Sequence, residues 1–145
     1  MSDASTKPND STNPLATPEP WDLVAPDYAA EALPYFEVFS RAALRAAALP
    51  AGARIVDVAA GPGTLSLLAA AAGARVSAID ISERMLAALR DRAAAAGLAA
   101  ALDVRQGDAQ ALPFESGAYD GAFSMFGLEP WATAALLKPK QREPP

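Results

Sequence analysis

The spacing of apolar residues changes along the chain, and the change predicts alternating helices and strands. Between residues 28 and 49 large apolar side chains recur at helical spacing, which predicts one or two amphipathic helices. Residues 54–60, 75–80 and 101–105 are short apolar runs that each predict a strand, and residues 119–125 predict a fourth. Strands that alternate with helices are typical of an α/β fold. We therefore predict a Rossmann-like, mostly parallel sheet of about four strands with flanking helices.

Glycine and serine residues mark where the predicted elements begin and end. A Gly-Pro-Gly turn follows the first strand at residues 61–63, and residues 64–72 then have the composition of a helix. Ser82 follows the second strand as a natural N-cap, and Gly97 is placed to end the helix that Ser82 begins. The pattern predicts a complete unit of strand, helix, strand and helix.

The two ends of the chain differ from its middle in composition. Residues 1–20 predict a disordered arm, because they contain too few apolar side chains to offset the entropy of folding. The sequence pattern predicts a helical lead-in at residues 21–50 and a folded core at residues 51–128. It predicts an irregular C-terminal tail at the proline-rich residues 129–145. We find neither the pattern of a signal peptide nor a membrane-spanning run, so we expect a cytoplasmic protein.

Composition narrows the chemistry that the chain can perform. The 145 residues carry a net charge of −5 and include neither cysteine nor histidine, which excludes disulfides, Cys/His zinc sites, thiol nucleophiles and imidazole bases. The acidic balance and the lack of a sustained basic cluster argue against a nucleic-acid or anionic-membrane surface. We expect no nucleic acid, no membrane and no metal among the ligands.

Three aspartates and the glycine turn are predicted to meet at one edge of the sheet. Ligands of a parallel α/β sheet bind outside the carboxyl ends of the strands. Asp57, Asp80 and Asp108 lie at or near these ends, and they favour a ligand that is cationic or rich in hydroxyl and amino donors. A glycine turn by itself is also compatible with a tight turn that binds nothing. Ser66 stands where the dinucleotide fingerprint requires its third glycine, which disfavours a nicotinamide cofactor.

Four ordered motifs carry a resemblance to a known family. They are VDVAAGPGT at residues 56–64, AIDIS at 78–82, GDAQALPF at 107–114 and YDGAFSMFGL at 119–128. In this order and at these intervals the chain resembles the class I S-adenosylmethionine-dependent methyltransferases, in particular their small-molecule branch. It departs from the common pattern at Ala59, where glycine is more usual. The resemblance implies S-adenosylmethionine as the cofactor and a small molecule as the methyl acceptor.

The resemblance also implies contacts between particular residues and the cofactor. The methionine part would be held by Asp57, Ala59, Gly61 and Gly63, the ribose hydroxyls by Asp80, the adenine ring by Ile81 and Met85, the adenine amino group by Asp108 with the Ala109 N–H beside it, and the amino group and sulfonium by Ser124. Met85 is more commonly a core residue, and Asp108 is also compatible with a turn. Methyl transfer needs alignment and exclusion of water rather than a dedicated base, so we single out no catalytic residue.

The C-terminal end of the chain leaves three functions open. The family's sheet continues beyond a fourth strand, whereas residues 129–145 predict no further strand, so we expect a truncated methyltransferase reading frame. Strand four would then be an exposed edge, open to self-association. The alternatives are a small-molecule methyltransferase, a catalytically incomplete fragment that binds the cofactor, and an NAD-type nucleotide-binding module.

Overall fold

A computed structural model describes residues 13–125, in which two N-terminal helices precede an alternation of strands and helices. The helices are α1 (Pro18–Glu31), α2 (Leu33–Ala47), α3 (Thr64–Ala71) and α4 (Glu83–Ala95), the strands are β1 (Arg54–Val58), β2 (Arg75–Asp80), β3 (Leu102–Gln106) and β4 (Gly121–Phe123), and short 3₁₀ helices cover Pro14–Ala16 and Ala99–Ala101. None of these described helices is long and apolar enough to cross a membrane.

The strands form one parallel sheet in the order β3-β2-β1-β4. This confirms the predicted Rossmann-like α/β fold with flanking helices. β1 pairs with β2 on one side and with β4 on the other, so that Asp57 lies opposite both Ala78 and Phe123. Strand order therefore reverses between β1 and β4. The carboxyl end of β1 is thus the position at which such a sheet binds its ligand.

The predicted strand boundaries differ from the observed ones by a few residues. β2 spans the predicted residues, whereas β1 ends at Val58 because Ala59 adopts a left-handed backbone conformation that no strand continues through. β4 is confined to three residues, Gly121–Phe123. Residues 126–128 of the predicted core and residues 129–145 of the predicted tail lie outside the described residues.

α1 begins at Pro18, inside the segment that composition assigns to a disordered arm. Proline lacks an N–H, but the N–H groups of a first helical turn have no intrahelical acceptor, so Pro18 and Pro20 are compatible with a helix start. Trp21 fixes this start, since its Nε1 donates a hydrogen bond to the Leu15 carbonyl at 3.0 Å. The predicted arm boundary at residue 20 is therefore too late, and residues 1–12 of the arm lie outside the described residues.

Two apolar layers pack on the two faces of the sheet. Successive side chains of a strand point to opposite faces. Ile55 of β1 packs with Leu65 of α3, whereas Val56 packs on the other side with Phe114. Asp57 is the next β1 residue on the Ile55 face, so the fold buries a carboxyl group beneath α3.

α1 is held against the N-terminus of α4 by one aspartate. Asp22 Oδ1 accepts hydrogen bonds from Ser82 Oγ at 2.5 Å and from the Arg84 N–H at 3.2 Å. Pro26 lies inside α1 and has no N–H to offer the Asp22 carbonyl one turn earlier, and Arg84 Nη1 donates to that carbonyl at 3.2 Å instead. The proline thus frees an acceptor that joins the two helices.

Candidate functional site

A tight turn with three left-handed residues follows β1 at the carboxyl edge of the sheet. Ala59, Gly61 and Gly63 have φ angles of +56°, +55° and +83°. The Ala60 N–H donates to the Ile79 carbonyl at 3.1 Å, which ties the turn to β2. Glycine adopts such angles freely, whereas alanine pays about 1–2 kcal/mol. The departure from the family pattern at Ala59 is therefore a position of backbone strain.

The two glycines of the turn are required for different reasons. A Cβ atom at Gly63 would overlap the side chain of Leu89, so Gly63 allows the start of α3 to pack closely on α4. A Cβ atom at Gly61 would meet no other atom within 4 Å. Because Gly61 lines the pocket described below, its missing side chain leaves room for a ligand to approach the backbone.

Asp57 is a buried carboxyl group beneath the turn. It is 2% exposed and accepts hydrogen bonds from Ser66 Oγ, at 2.6 Å, and from the Ser66 N–H. Burial raises the pKa of Asp57 to about 7, and the two contacts with Ser66 oppose this rise. Gly63 is the N-cap residue of α3 and has no side chain that could accept a hydrogen bond from the first turn. The Asp57 carboxyl accepts that hydrogen bond instead, from the Ser66 N–H. Ser66 stands where the dinucleotide fingerprint has its third glycine, and here it is the hydrogen-bond partner of Asp57.

Asp80 braces the turn from the end of β2. Its Oδ2 accepts a hydrogen bond from the Gly61 N–H at 2.8 Å, and its Oδ1 accepts one from the Ser82 N–H at 2.9 Å. Burial raises the pKa of Asp80, and these backbone hydrogen bonds counteract the rise. Sequence reasoning identified Asp80 only as a ribose acceptor, and the bracing of Gly61 is an additional role. Each carboxylate oxygen has a second lone pair, so the bracing leaves capacity for ligand hydroxyls.

A pocket opens between the carboxyl end of β1 and the two N-terminal helices. It is lined by Tyr28, Phe36, Ser40, Asp57, Ala59, Ala60, Gly61, Pro62, Thr64, Leu65 and Met125. The rings of Tyr28 and Phe36 stack with their centroids 5.6 Å apart. Asp57 supplies the acidic group, and none of the lining residues in the described part of the chain is Lys or Arg. The side chains of the pocket therefore favour a cationic group, while the N-terminus of α3 offers N–H groups to an anion.

The structure brings only part of the predicted site together at this pocket. The predicted residues that line it are Asp57, Ala59 and Gly61. Ser124 directly follows β4 and precedes the pocket residue Met125. The Ser124 hydroxyl is buried and has no hydrogen-bond partner among residues 13–125. Its position agrees with a place beside a ligand, and its contact with the cofactor stays a prediction.

The residues predicted to hold adenine do not line the pocket. Met85 is 2% exposed and packed in the interior. Asp108 is exposed, and its Oδ1 accepts a hydrogen bond from the Gln110 N–H at 2.8 Å, which is the turn geometry left open as its alternative. Ile81 and Ala109 are half-buried just after β2 and β3. The contacts of these four predicted residues with adenine remain predictions.

Ser40 of α2 is a pocket residue that sequence reasoning missed. It is 1% exposed, and its hydroxyl has no hydrogen-bond partner in the described part of the chain. Phe36, Ser40 and Leu44 follow one another at intervals of one helical turn, so a polar residue interrupts an apolar helix face. This interruption is the sequence signal that identifies it.

Comparisons with known proteins identify relatives of this site. Residues 55–139 match the family described as a methyltransferase domain. An uncharacterized protein of Mycobacterium tuberculosis is 47% identical over 77 residues, which cover 53% of this chain and 27% of that protein. The demethylmenaquinone methyltransferase of Clavibacter sepedonicus is 44% identical over 87 residues, which cover 60% of this chain and 34% of that enzyme. The chain thus spans between about a quarter and a third of the length of these curated relatives.

A solved structure has the same fold as the described part of this chain. The crystal structure of a putative S-adenosylmethionine-dependent methyltransferase from Methanococcus maripaludis aligns with a TM-score of 0.66 and 22% identity, and covers 93% of this chain and 59% of that one. The family match extends over more than half of the chain and includes the glycine turn, Asp80 and β4. The chain therefore belongs to the methyltransferase-domain family, the S-adenosylmethionine-dependent class that its four motifs resemble.

Proposed function

We propose that this chain binds S-adenosylmethionine in the pocket at the carboxyl end of β1, and that the protein transfers its methyl group to a small molecule. The observation that carries the proposal is the position of Gly61. Its backbone lies open to a ligand, beside the buried acid Asp57 and the N-terminus of α3. The cofactor carries an ammonium, a sulfonium and a carboxylate. The acid Asp57 is complementary to the two cations, and the N-terminus of α3 is complementary to the carboxylate.

The residues of the site fit the cofactor part by part. The N–H groups of Thr64 and Leu65, in the first turn of α3, would hold the methionine carboxylate. Asp57 would face the cationic groups, and Asp80 would accept hydrogen bonds from the ribose hydroxyls while it braces Gly61. These assignments divide the cofactor between β1, α3 and β2.

The protein must align the acceptor with the methyl group and exclude water from the site. When bound, S-adenosylmethionine supplies a methyl group that its sulfonium already activates. The stacked rings of Tyr28 and Phe36 line the pocket and would keep water from an acceptor placed there. No general base is required for an acceptor that is already nucleophilic.

We propose a small apolar molecule as the methyl acceptor. Two features support this: the aromatic lining of the pocket, and the relative named as a demethylmenaquinone methyltransferase. A cytoplasmic location and self-association through the edge of the sheet remain predictions of the sequence.

Calorimetric titration tests the proposal. We expect the full chain to bind S-adenosylmethionine and its demethylated product, S-adenosylhomocysteine, and not to bind NAD. If neither S-adenosylmethionine nor S-adenosylhomocysteine binds, the proposal is refuted. Methyl release from labelled cofactor is then measured with a panel of small acceptors that includes demethylmenaquinone, and binding without turnover on any of them would identify a cofactor-binding fragment instead.

A further inference from the structure

Ser40 of α2 is one of the residues that line the pocket, and none of the four family motifs extends to this helix. We propose that Ser40 is a cofactor-positioning residue, whose Oγ accepts a hydrogen bond from the ammonium group of the methionine part of S-adenosylmethionine. The inference rests on the proposed function of the same pocket and adds a specific residue to it.

The hydroxyl of Ser40 differs from those of the two other fully buried serines among residues 13–125, and it shares with Ser124 the lack of a partner there. Ser66 and Ser82 are both 0% exposed, and each hydroxyl has a partner: Ser66 Oγ donates to Asp57, and Ser82 Oγ donates to Asp22. Ser40 is 1% exposed, and its Oγ has no partner among residues 13–125. A buried hydroxyl without a partner costs stability, and proteins retain few of them.

No hydrogen bond within α2 compensates for the cost of burying the Ser40 hydroxyl. A serine within a helix commonly donates to the carbonyl one turn earlier, which would satisfy it locally. Ser40 Oγ makes no such bond in the described structure. Ser40 is among the residues that line the pocket, together with Asp57 and Gly61. A group that binds in the pocket would provide the partner that residues 13–125 do not.

The charge of the pocket determines which cofactor group this is. The oxygen atoms that its side chains offer include the Asp57 carboxyl and the Ser40 hydroxyl, and no basic side chain is present among the described lining residues. In the proposed function the carboxylate of the cofactor would have its own partners at the N-terminus of α3. An ammonium group has three N–H donors and needs several acceptors. Ser40 on α2 and Asp57 on β1 offer two of them from different elements.

An analogue that lacks the amino group tests the assignment. Calorimetry compares wild type and Ser40→Ala, each titrated with S-adenosylhomocysteine and with its deaminated analogue, in which hydrogen replaces the amino group. We expect Ser40→Ala to weaken binding of S-adenosylhomocysteine about tenfold, as for loss of a hydrogen bond to a charged group. Binding of the deaminated analogue should be unchanged. Equal weakening of both compounds, or of neither, would overturn the inference.

Thermal unfolding without ligand gives a second readout that a purely structural serine would move in the opposite direction. We expect Ser40→Ala to be at least as stable as wild type, because it removes an unsatisfied hydroxyl. The matched control Ser66→Ala should be less stable, because it removes the partner of Asp57. A clear loss of stability in Ser40→Ala would contradict the inference. If wild type binds no cofactor compound, the proposed function fails and this inference fails with it, whereas tight wild-type binding that Ser40→Ala preserves refutes the inference alone.

Discussion

Replacing Gly61 by alanine separates a glycine that serves the ligand from a glycine that serves only the backbone. Gly61 has a φ of +55°, and Gly52, in the loop before β1, has a φ of +69°. An added Cβ would meet no atom within 4 Å at either position. The two substitutions therefore impose similar strain on the protein without ligand and differ in that Gly61 lines the pocket.

The expected magnitudes follow from this comparison. A left-handed alanine costs about 1–2 kcal/mol, and the reduced entropy of the unfolded chain returns about 0.4–1 kcal/mol. We expect both Gly61→Ala and Gly52→Ala to lower the free energy of unfolding by about 1 kcal/mol in urea titrations. In Gly61→Ala the methyl group occupies space that the ligand needs, so cofactor binding should weaken by a further 1–3 kcal/mol or so, about 5- to 150-fold. Calorimetry with S-adenosylhomocysteine measures this difference. Equal affinity of the two variants would show that the cofactor does not approach the turn at Gly61.

Three further substitutions test the structure around the site. Ala59→Gly should raise the free energy of unfolding by about 0.5–1 kcal/mol, because it removes left-handed strain, and a destabilised variant in urea would contradict the geometry of the turn. Asp57 keeps its proton up to about pH 7 in the folded protein and loses it near pH 4 when unfolded, so its contribution to stability is complete below about pH 4 and is lost as the pH rises to about 7. Between pH 4 and pH 8 the free energy of unfolding of Asp57→Asn should therefore rise by up to about 4 kcal/mol relative to that of wild type. Parallel pH profiles of the two proteins would refute the raised pKa. Asp22→Ala should cost about 1–3 kcal/mol through lost hydrogen bonds to α4, whereas the exposed Asp27→Ala on the same helix should change little, and equal effects in urea would disprove the tie between the helices.

Local signals account for the features that the sequence predicts well. β2 coincides with its predicted span, and Ser82 caps α4 by accepting a hydrogen bond from the Met85 N–H. Both depend on residues that are neighbours in the chain. The sequence predicts the glycine turn for the same reason, because Gly61 and Gly63 tolerate the positive φ that they adopt there.

Contacts between distant segments account for what sequence patterns do not show. Asp22 and Ser82 are 60 residues apart, and their hydrogen bond exists only because α1 crosses the start of α4. The reach of Asp80 back to Gly61 depends likewise on the pairing of β1 with β2. Ser40 interrupts an apolar face of α2 in the sequence, but only the packing of α2 shows that it is buried beside the pocket.

The position of β4 has a consequence for how the chain folds. β1, β2 and β3 follow one another closely in the sequence, whereas the contact that joins the start of β1 to the loop before β4 links residues 66 apart, Arg54 and Asp120. Closing a longer loop costs more entropy, by about 0.6 kcal/mol for each doubling of its length. We expect the first three strands to assemble before β4 joins them. The glycine turn would then form early while one wall of the pocket, at Met125, is still missing. During that interval the edge of β1 would be unpaired, and we expect the nascent chain to be open to pairing with another copy.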